Sequence, residues 1–258
     1  MRICARLAIF IAGGYPAGLM PQLNRGFTLT WLGHSSFRLK TRAAKTVLID
    51  PWVEGNPACP REAKAFDAID VMTISHGHGD HMSDAVTLAK KFKPAIVCNY
   101  EIHLFLARKG VNGTSPMNKG GTQEAAGVRF TMVHATHSSG IEDGGQVVYG
   151  GEPCGYVLTL EDGTRIYHAG DTGPMADMTV IGELYKPDVA LLPIGDLYTM
   201  GPREAAWAAK AVQARYVVPM HHSTFPALTG TPEMLREELK KLGASCEVVA
   251  LRPGESLS

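Results

Sequence analysis

The decapeptide SHGHGDHMSD, residues 75–84, carries His76, His78, Asp80 and His81 within six positions. Neutral imidazole and carboxylate are the ligand types that zinc, manganese and iron(II) prefer. His76 and His78 alternate around Gly77, so both rings can turn toward one point. Asp80 and His81 come a step later and can reach a second point a few ångströms away. Gly77 and Gly79 are expected to let the loop adopt φ values that residues with a Cβ resist. A merely polar or pH-responsive turn is the bland alternative. Four donors so closely spaced favour a metal.

Three later residues complete the count. His137 opens HSSGIED after the strand pattern VRFTMVHAT, Asp171 stands in HAGDTG after TRIYH, and His221 ends VVPMH. Each lies just past an expected strand end, so all can converge on one sheet edge. Two divalent transition-metal ions per chain then fit, zinc first, with manganese or iron as alternatives. His76, His78 and His137 would hold one; Asp80, His81 and His221 would hold the other. Asp171 would bridge them. Ions roughly 3.5–4 Å apart bind and activate one water between them. The expected reaction is attack by that bridging hydroxide on an ester, lactone or phosphoester-type bond. No GxSxG signature competes for the nucleophile role.

Elements must bring these residues together. FTLTWLG, SSFRLK and KTVLID read as short strands of a meander. DVMTIS is an apolar run of buried-strand type, and the histidine motif follows it directly. SDAVTLAKKFK reads as a helix capped by Ser83. AIVCN reads as strand, EIHLFLARKG as a helix ending at Gly110, and VRFTMVHAT as strand. A second round is expected to begin near residue 137. It holds a hairpin turning at Glu161–Asp162–Gly163, the strand DVALLPIG, and a helix with Pro202 near its start. RYVVPMHH, the helix TPEMLREELKKLG and a closing strand CEVVALRPG complete it. Two halves, each a sheet covered on one face by helices, can stack into an αββα sandwich, a pattern that other α/β layers share.

The chain has 258 residues, 45% of them hydrophobic, enough for a sizeable core. Its 25 basic and 25 acidic residues cancel, which disfavours a nucleic-acid partner. Cys4, Cys59, Cys98, Cys154 and Cys246 are scattered, with no CxxC pair, as in a reduced, cytoplasmic protein. Cys98, in AIVCN, is expected to be a buried small hydrophobe. Residues 1–26 carry Arg2 and Arg6 before the apolar run LAIFIAG. That run is too short to span a bilayer. The reading is a loosely ordered extension, with Met20 as the alternative start; a signal peptide is the other possibility. Residues 27–258 form the expected catalytic domain.

SHGHGDH, the later histidine, HAGDTG and the terminal MHH resemble the metallo-β-lactamase superfamily. WLGHSSF, LIDPW, HSSGIEDGG, YGGEPCGY, IGELYKPDVALLPIGDLYTMGP and VVPMHHSTFP are similar to one branch of it: small metal-dependent hydrolases related to ascorbate-phosphate lactonases. The resemblance covers about residues 27–256. It implies a four-layer αββα sandwich of two mixed β-sheets with helices on the outer faces. It also implies that His34 faces the site from the first hairpin, although a histidine that bonds a loop is an equal reading. His34 joins Asp80 as a candidate catalytic group. Asp50 and His168 are expected to orient ligands from behind. Thr199, Met200 and Gly201 are expected to line the substrate side.

His221 and His222 are adjacent. In an extended segment they would point to opposite sides, so His221 is assigned to the metals and His222 to the substrate-binding rim. His134 alternates away from His137, and His103 lies on an expected surface helix; both are left out. The expected partner is a small-molecule substrate, with no nucleic acid or membrane and with room for a homo-oligomer. An iron-dependent oxidoreductase on the same fold, a metal-binding protein without turnover, and a ribonuclease are the rival readings. The neutral charge weighs against the ribonuclease.

Overall fold

The computed structural model describes residue 23 and residues 25–258. In chain order the first part holds β1 (Thr28–Gly33), β2 (Ser36–Lys40), β3 (Thr46–Ile49), β4 (Val71–Thr73), α1 (Gly79–Met82), α2 (Ala85–Phe92), β5 (Ala95–Asn99), α3 (Tyr100–Arg108) and β6 (Thr114–Met117). Next come β7 (Thr122–Ala125), β8 (Val128–His134), β9 (Gly140–Asp143), β10 (Gln146–Tyr149), β11 (Cys154–Thr159) and β12 (Arg165–His168). The remainder is α4 (Asp177–Tyr185), β13 (Val189–Pro193), α5 (Pro202–Val212), β14 (Tyr216–Met220), α6 (Pro232–Lys241), β15 (Glu247–Val248) and β16 (Ser256–Leu257).

One sheet has the order β16-β1-β2-β3-β4-β5-β6, the other β15-β14-β13-β12-β11-β8-β7, and β9 and β10 form a separate hairpin. Both sheets follow one plan. Pairing is antiparallel from β16 to β3 and parallel from β3 to β6. It is antiparallel from β7 to β12 and parallel from β12 to β15. The mixed character explains the sequence patterns: parallel strands such as VALLP and YVVPM are buried on both faces and read as continuous apolar runs.

Side-chain alternation separates the layers. Val47, Ile49 and Val71 join a cluster that includes Phe130, Tyr156 and Leu158 of the second sheet. Their neighbours Leu48 and Met72 turn the other way, onto Leu88 of α2 and Ile102, Phe105 and Leu106 of α3. Each such apolar side chain contributes about 1.5–3 kcal/mol on full burial. Tyr156 also ties the sheets together, its buried Oη donating to the Ile74 carbonyl at 3.0 Å. The result is the expected αββα sandwich.

Three expectations need correction. The second half begins at β7, not near residue 137, because β8 pairs with β7 and β11 inside the second sheet. Ser83 does not start a helix: it closes α1, its hydroxyl bonded to the Gly79 carbonyl, and Asp84 precedes α2. The closing strand is short at Glu247–Val248, and the chain then crosses to the first sheet, where Leu257 pairs with Leu29. Of the expected extension 1–26, residues 1–22 and 24 lie outside the described residues. Leu23 packs on the core and its N–H donates to the Ser258 carbonyl at 2.5 Å. Among the described residues, no helix is long and apolar enough to cross a membrane.

Candidate metal centre

Every candidate donor sits within a few residues of a strand's end, on one edge of the sandwich. His76, His78, Asp80 and His81 follow β4, His137 follows β8, Asp171 follows β12 and His221 follows β14. His34 occupies the β1–β2 turn and Asp50 follows β3. His34, Asp50 and His221 all have left-handed backbones, with φ of 55°, 47° and 54°. Non-glycine residues hold that conformation only where their surroundings dictate it. For His34 and His221 the reason is visible: the His34 carbonyl accepts both Trp31 Nε1 at 2.8 Å and the His221 N–H at 2.9 Å.

The donor atoms fall into three overlapping groups: His76, His78 and His137; His76, His81 and Asp171; and His34, Asp80, His81 and His221. Within each, the atoms lie within 4.8 Å of one another. Asp171 is at the centre. Its Oδ2 is 3.1 Å from His221 Nε2, 3.2 Å from His81 Nε2 and 3.7 Å from His137 Nε2.

Hydrogen-bond direction assigns the free lone pairs. Asp50 accepts the Ser75 N–H and hydroxyl, both at 2.7 Å, and His81 Nδ1–H at 2.8 Å. In the neutral ring, the form that binds metal, His81 Nε2 then faces Asp171 with a lone pair. The Ser75 hydroxyl, having donated to Asp50, accepts from His76 Nδ1 at 3.0 Å. His76 Nε2 is then also a lone pair, and it lies 3.0 Å from His78 Nδ1. His81 Nε2 and Asp171 Oδ1 are buried without a hydrogen-bond partner. Buried acceptors without a donor, Asp171 Oδ1 and the neutral form of His81 Nε2 among them, are what a cation between them would satisfy. The residues fit divalent metal ions.

Without a cation, the two carboxylates set His81. Burial alone would depress it, but Asp171 and Asp50 hold it well above its usual value, so a metal at Nε2 would displace the proton that this nitrogen otherwise carries. Burial would raise Asp171, yet His81 and His221 hold it well below the carboxylate range. Burial lowers His76, His78 and His137, keeping those imidazoles neutral, the form that binds metal. Among the described residues, no cysteine lies in the donor groups. Cys154, whose Sγ lies 3.1 Å from the Ser75 carbonyl, is pushed up to about 12 by burial.

Gly77 is required for space, not for φ. Neither Gly77 nor Gly79 has a positive φ. A Cβ on Gly77 would meet Ile141 Cγ1 at 2.6 Å and the Ser139 carbonyl at 3.1 Å, whereas Gly79 has only Ser83 Oγ at 3.8 Å.

His168 lies behind the donors: its Nε2 donates to the Ser35 carbonyl at 3.1 Å and its Nδ1 accepts from Gly170 N–H at 3.2 Å. It thereby braces the turns that carry His34 and Asp171. His222 is not on a rim. It is buried, its ring centroid 5.0 Å from that of Trp31. Met200 packs into the core, and only its N–H reaches the site, donating to the Thr172 carbonyl at 3.2 Å. Gly201 starts α5. Thr199 is half-buried, with an unpartnered Oγ1. His134 bonds Lys119 and His103 bonds Thr114, both outside the donor groups.

Sequence reasoning missed the hydroxyls around the donors: Ser75; Ser138, 3.2 Å from His78 Nε2; Ser139, which accepts the Gly77 N–H at 3.0 Å; and Thr224, 2.9 Å from His34 Nδ1. Their only signal was adjacency, in SHGH, HSSG and HHST. Trp52 and Phe225 were missed too; they stack at 6.1 Å beside His34.

A model of the β-lactamase superfamily domain matches residues 28–221. A UPF0173 metal-dependent hydrolase of Koribacter versatilis (strain Ellin345) is 52% identical over 234 residues, covering 91% of this chain and 99% of that protein. One from Solibacter usitatus (strain Ellin6076) is 51% identical over 227 residues, covering 88% and 97%. Among solved structures, Igni18, a metallo hydrolase from the hyperthermophilic archaeon Ignicoccus hospitalis KIN4/I, superposes with a TM-score of 0.79 at 35% identity. That match covers 90% of this chain and 97% of the other. With a metal-ready edge on this sandwich and relatives that align along nearly their whole length, the chain belongs to the β-lactamase superfamily, among its metal-dependent hydrolases.

Proposed function

We propose that this hydrolase works with two divalent transition-metal ions, zinc in the first instance, on an ester, lactone or phosphoester-type bond of a small molecule. His76, His78 and His137 hold one ion, Asp80, His81 and His221 hold the other, and Asp171 bridges them. The observation that carries this reading is Asp171 itself: a buried carboxylate among three imidazole nitrogens, with one oxygen left unpartnered. When bound, such a pair lowers the pKa of a water between the ions and polarises the oxygen of the bond under attack.

The chain's own residues do the positioning. Asp50 fixes the His81 tautomer and the turn before His76 through Ser75. Ser139 pins the Gly77 backbone, so the histidine loop keeps its place without metal. Burial of His81, Asp171 and His221 excludes bulk water from behind the site. His78, His137 and Asp80 are half-buried, so substrate enters over them. Trp52 and Phe225 offer that substrate an apolar wall. Residues 27–258 act as one hydrolase domain, and the scattered cysteines support a reducing, cytoplasmic setting.

The test is elemental analysis of protein purified without chelator, followed by a panel of lactones, carboxylic esters and phosphodiesters. The panel is run on protein reconstituted separately with zinc, manganese and iron. About two ions per chain and metal-dependent turnover of one class are expected. A folded protein that takes up no transition metal under any loading would overturn the reading. Oxidation of substrate by the iron form alone, with no hydrolysis, would replace it.

A further inference from the structure

We infer that His34 is itself a metal ligand through Nε2, completing with Asp80, His81 and His221 a four-donor set around one of the two ions. This rests on the two-ion reading above.

The geometry is direct. His34, Asp80, His81 and His221 place their donor atoms within 4.8 Å of one another. His34 Nε2 is 3.0 Å from Asp80 Oδ2, and its ring centroid is 3.9 Å from that of His221. Hydroxyl direction sets the tautomer. The Thr224 hydroxyl donates to the His222 carbonyl at 3.3 Å and so accepts from His34 Nδ1 at 2.9 Å. That leaves His34 Nε2 as a lone pair aimed at a carboxylate oxygen. Two acceptors held at that distance repel unless a cation sits beside both.

The backbone is built for this aim. His34 is held in a left-handed conformation, and its carbonyl is bonded to the backbone of His221, another member of the set. The ring is wholly buried, so it has no solvent-facing role to serve. The two ions are then unequal. One would have four protein donors beside the bridging carboxylate, three of them buried, the fuller set of a tightly held ion. The other has three imidazoles, two of them half-buried, and keeps open positions on the side that substrate reaches.

The test uses the full chain with 15N-labelled histidine, loaded with 113Cd and observed by NMR. The expected result is scalar coupling of His34 Nε2 to the same 113Cd nucleus that couples to His81 and His221. Removing the Nδ1 partner with Thr224→Val should weaken that one ion by about 10–100-fold, as loss of a partner behind a ligand does. His34→Ala should weaken it further, with the other ion retained. The labelled wild-type protein decides the matter even if that variant does not fold. A proton on His34 Nε2, with coupling at His81 and His221 only, would overturn the proposal and make His34 a hydrogen-bond donor to Asp80. Coupling at none of these histidines would overturn both this proposal and the two-ion reading.

Discussion

Asp171 concentrates the chemistry of the site in one side chain. Its Oδ2 meets His221, His81 and His137 between 3.1 and 3.7 Å, and its Oδ1 meets no protein donor. Asp171→Ala is expected to at least halve the metal content and abolish hydrolysis with the fold intact, as read by elemental analysis, turnover and circular dichroism. Full metal and normal turnover in that variant would remove Asp171 from the site. The adjacent pair His221 and His222 should separate cleanly. His221→Ala should lose one ion. His222→Ala should keep both ions and lose about 1–3 kcal/mol of stability, because a buried ring against Trp31 is removed. Parallel metal titrations and denaturant melts of the two variants decide it. The donor types were legible because imidazole and carboxylate at this spacing have few other uses. The orientation of His222 was not. Alternation along an extended segment was the expected reason for choosing His221, but φ of 54° at His221 breaks the strand there.

At the scale of elements, the loop between β4 and α1 has two glycines with different work. Gly77→Ala would drive a Cβ against Ile141 and the Ser139 carbonyl, beside the hairpin β9–β10. It is expected to cost about 1–3 kcal/mol in chelated protein and to weaken metal binding, since both flanking residues are donors. Gly79→Ala lies at the start of α1 with open space around it, and should be neutral or stabilising by up to about 1 kcal/mol. Thermal melts and metal titrations of the pair test this; equal effects would mean that space is not what Gly77 supplies. Elements with chemical end-signals were readable: Thr231 caps α6 by accepting the Met234 N–H at 3.2 Å, and Pro202 opens α5. The strands TSPM and TQEA were not readable, being half-exposed with no apolar alternation. They are recruited by the edges of sheets that other residues build.

For the whole molecule, buried histidines couple folding to pH. Burial lowers His34 and His222 to about 4, against about 6.5 in an unfolded chain. Between those values the unfolded state takes protons that the folded state refuses. Stability of the metal-free protein should therefore fall as pH drops from about 6.5 to 4, by about 1.4 kcal/mol per pH unit for each histidine. His81, held high, has the opposite sign and acts only above about 6.5, where its contribution fades as pH rises. Urea melts across this range check the slope, and His222→Gln should shallow it by about one proton; a flat profile would contradict the burial argument. The sandwich was legible in the order of strand and helix patterns once the histidine motif was recognised. The division between the sheets was not, because β8 follows the first sheet's elements in sequence yet pairs only within the second.

The strand that delivers His34 is paired on its outer side with residues made far later. Thr30 and Ser256, 226 positions apart, share a hydroxyl contact, and Leu29 pairs with Leu257. During synthesis β1 thus waits with a bare edge while both sheets are made beside it. At ribosomal speeds of about 5–20 residues per second that interval is tens of seconds, long enough for a nascent chain to meet a chaperone or another chain. The outer edge of the strand that leads to His34 is therefore paired only after β16 is made.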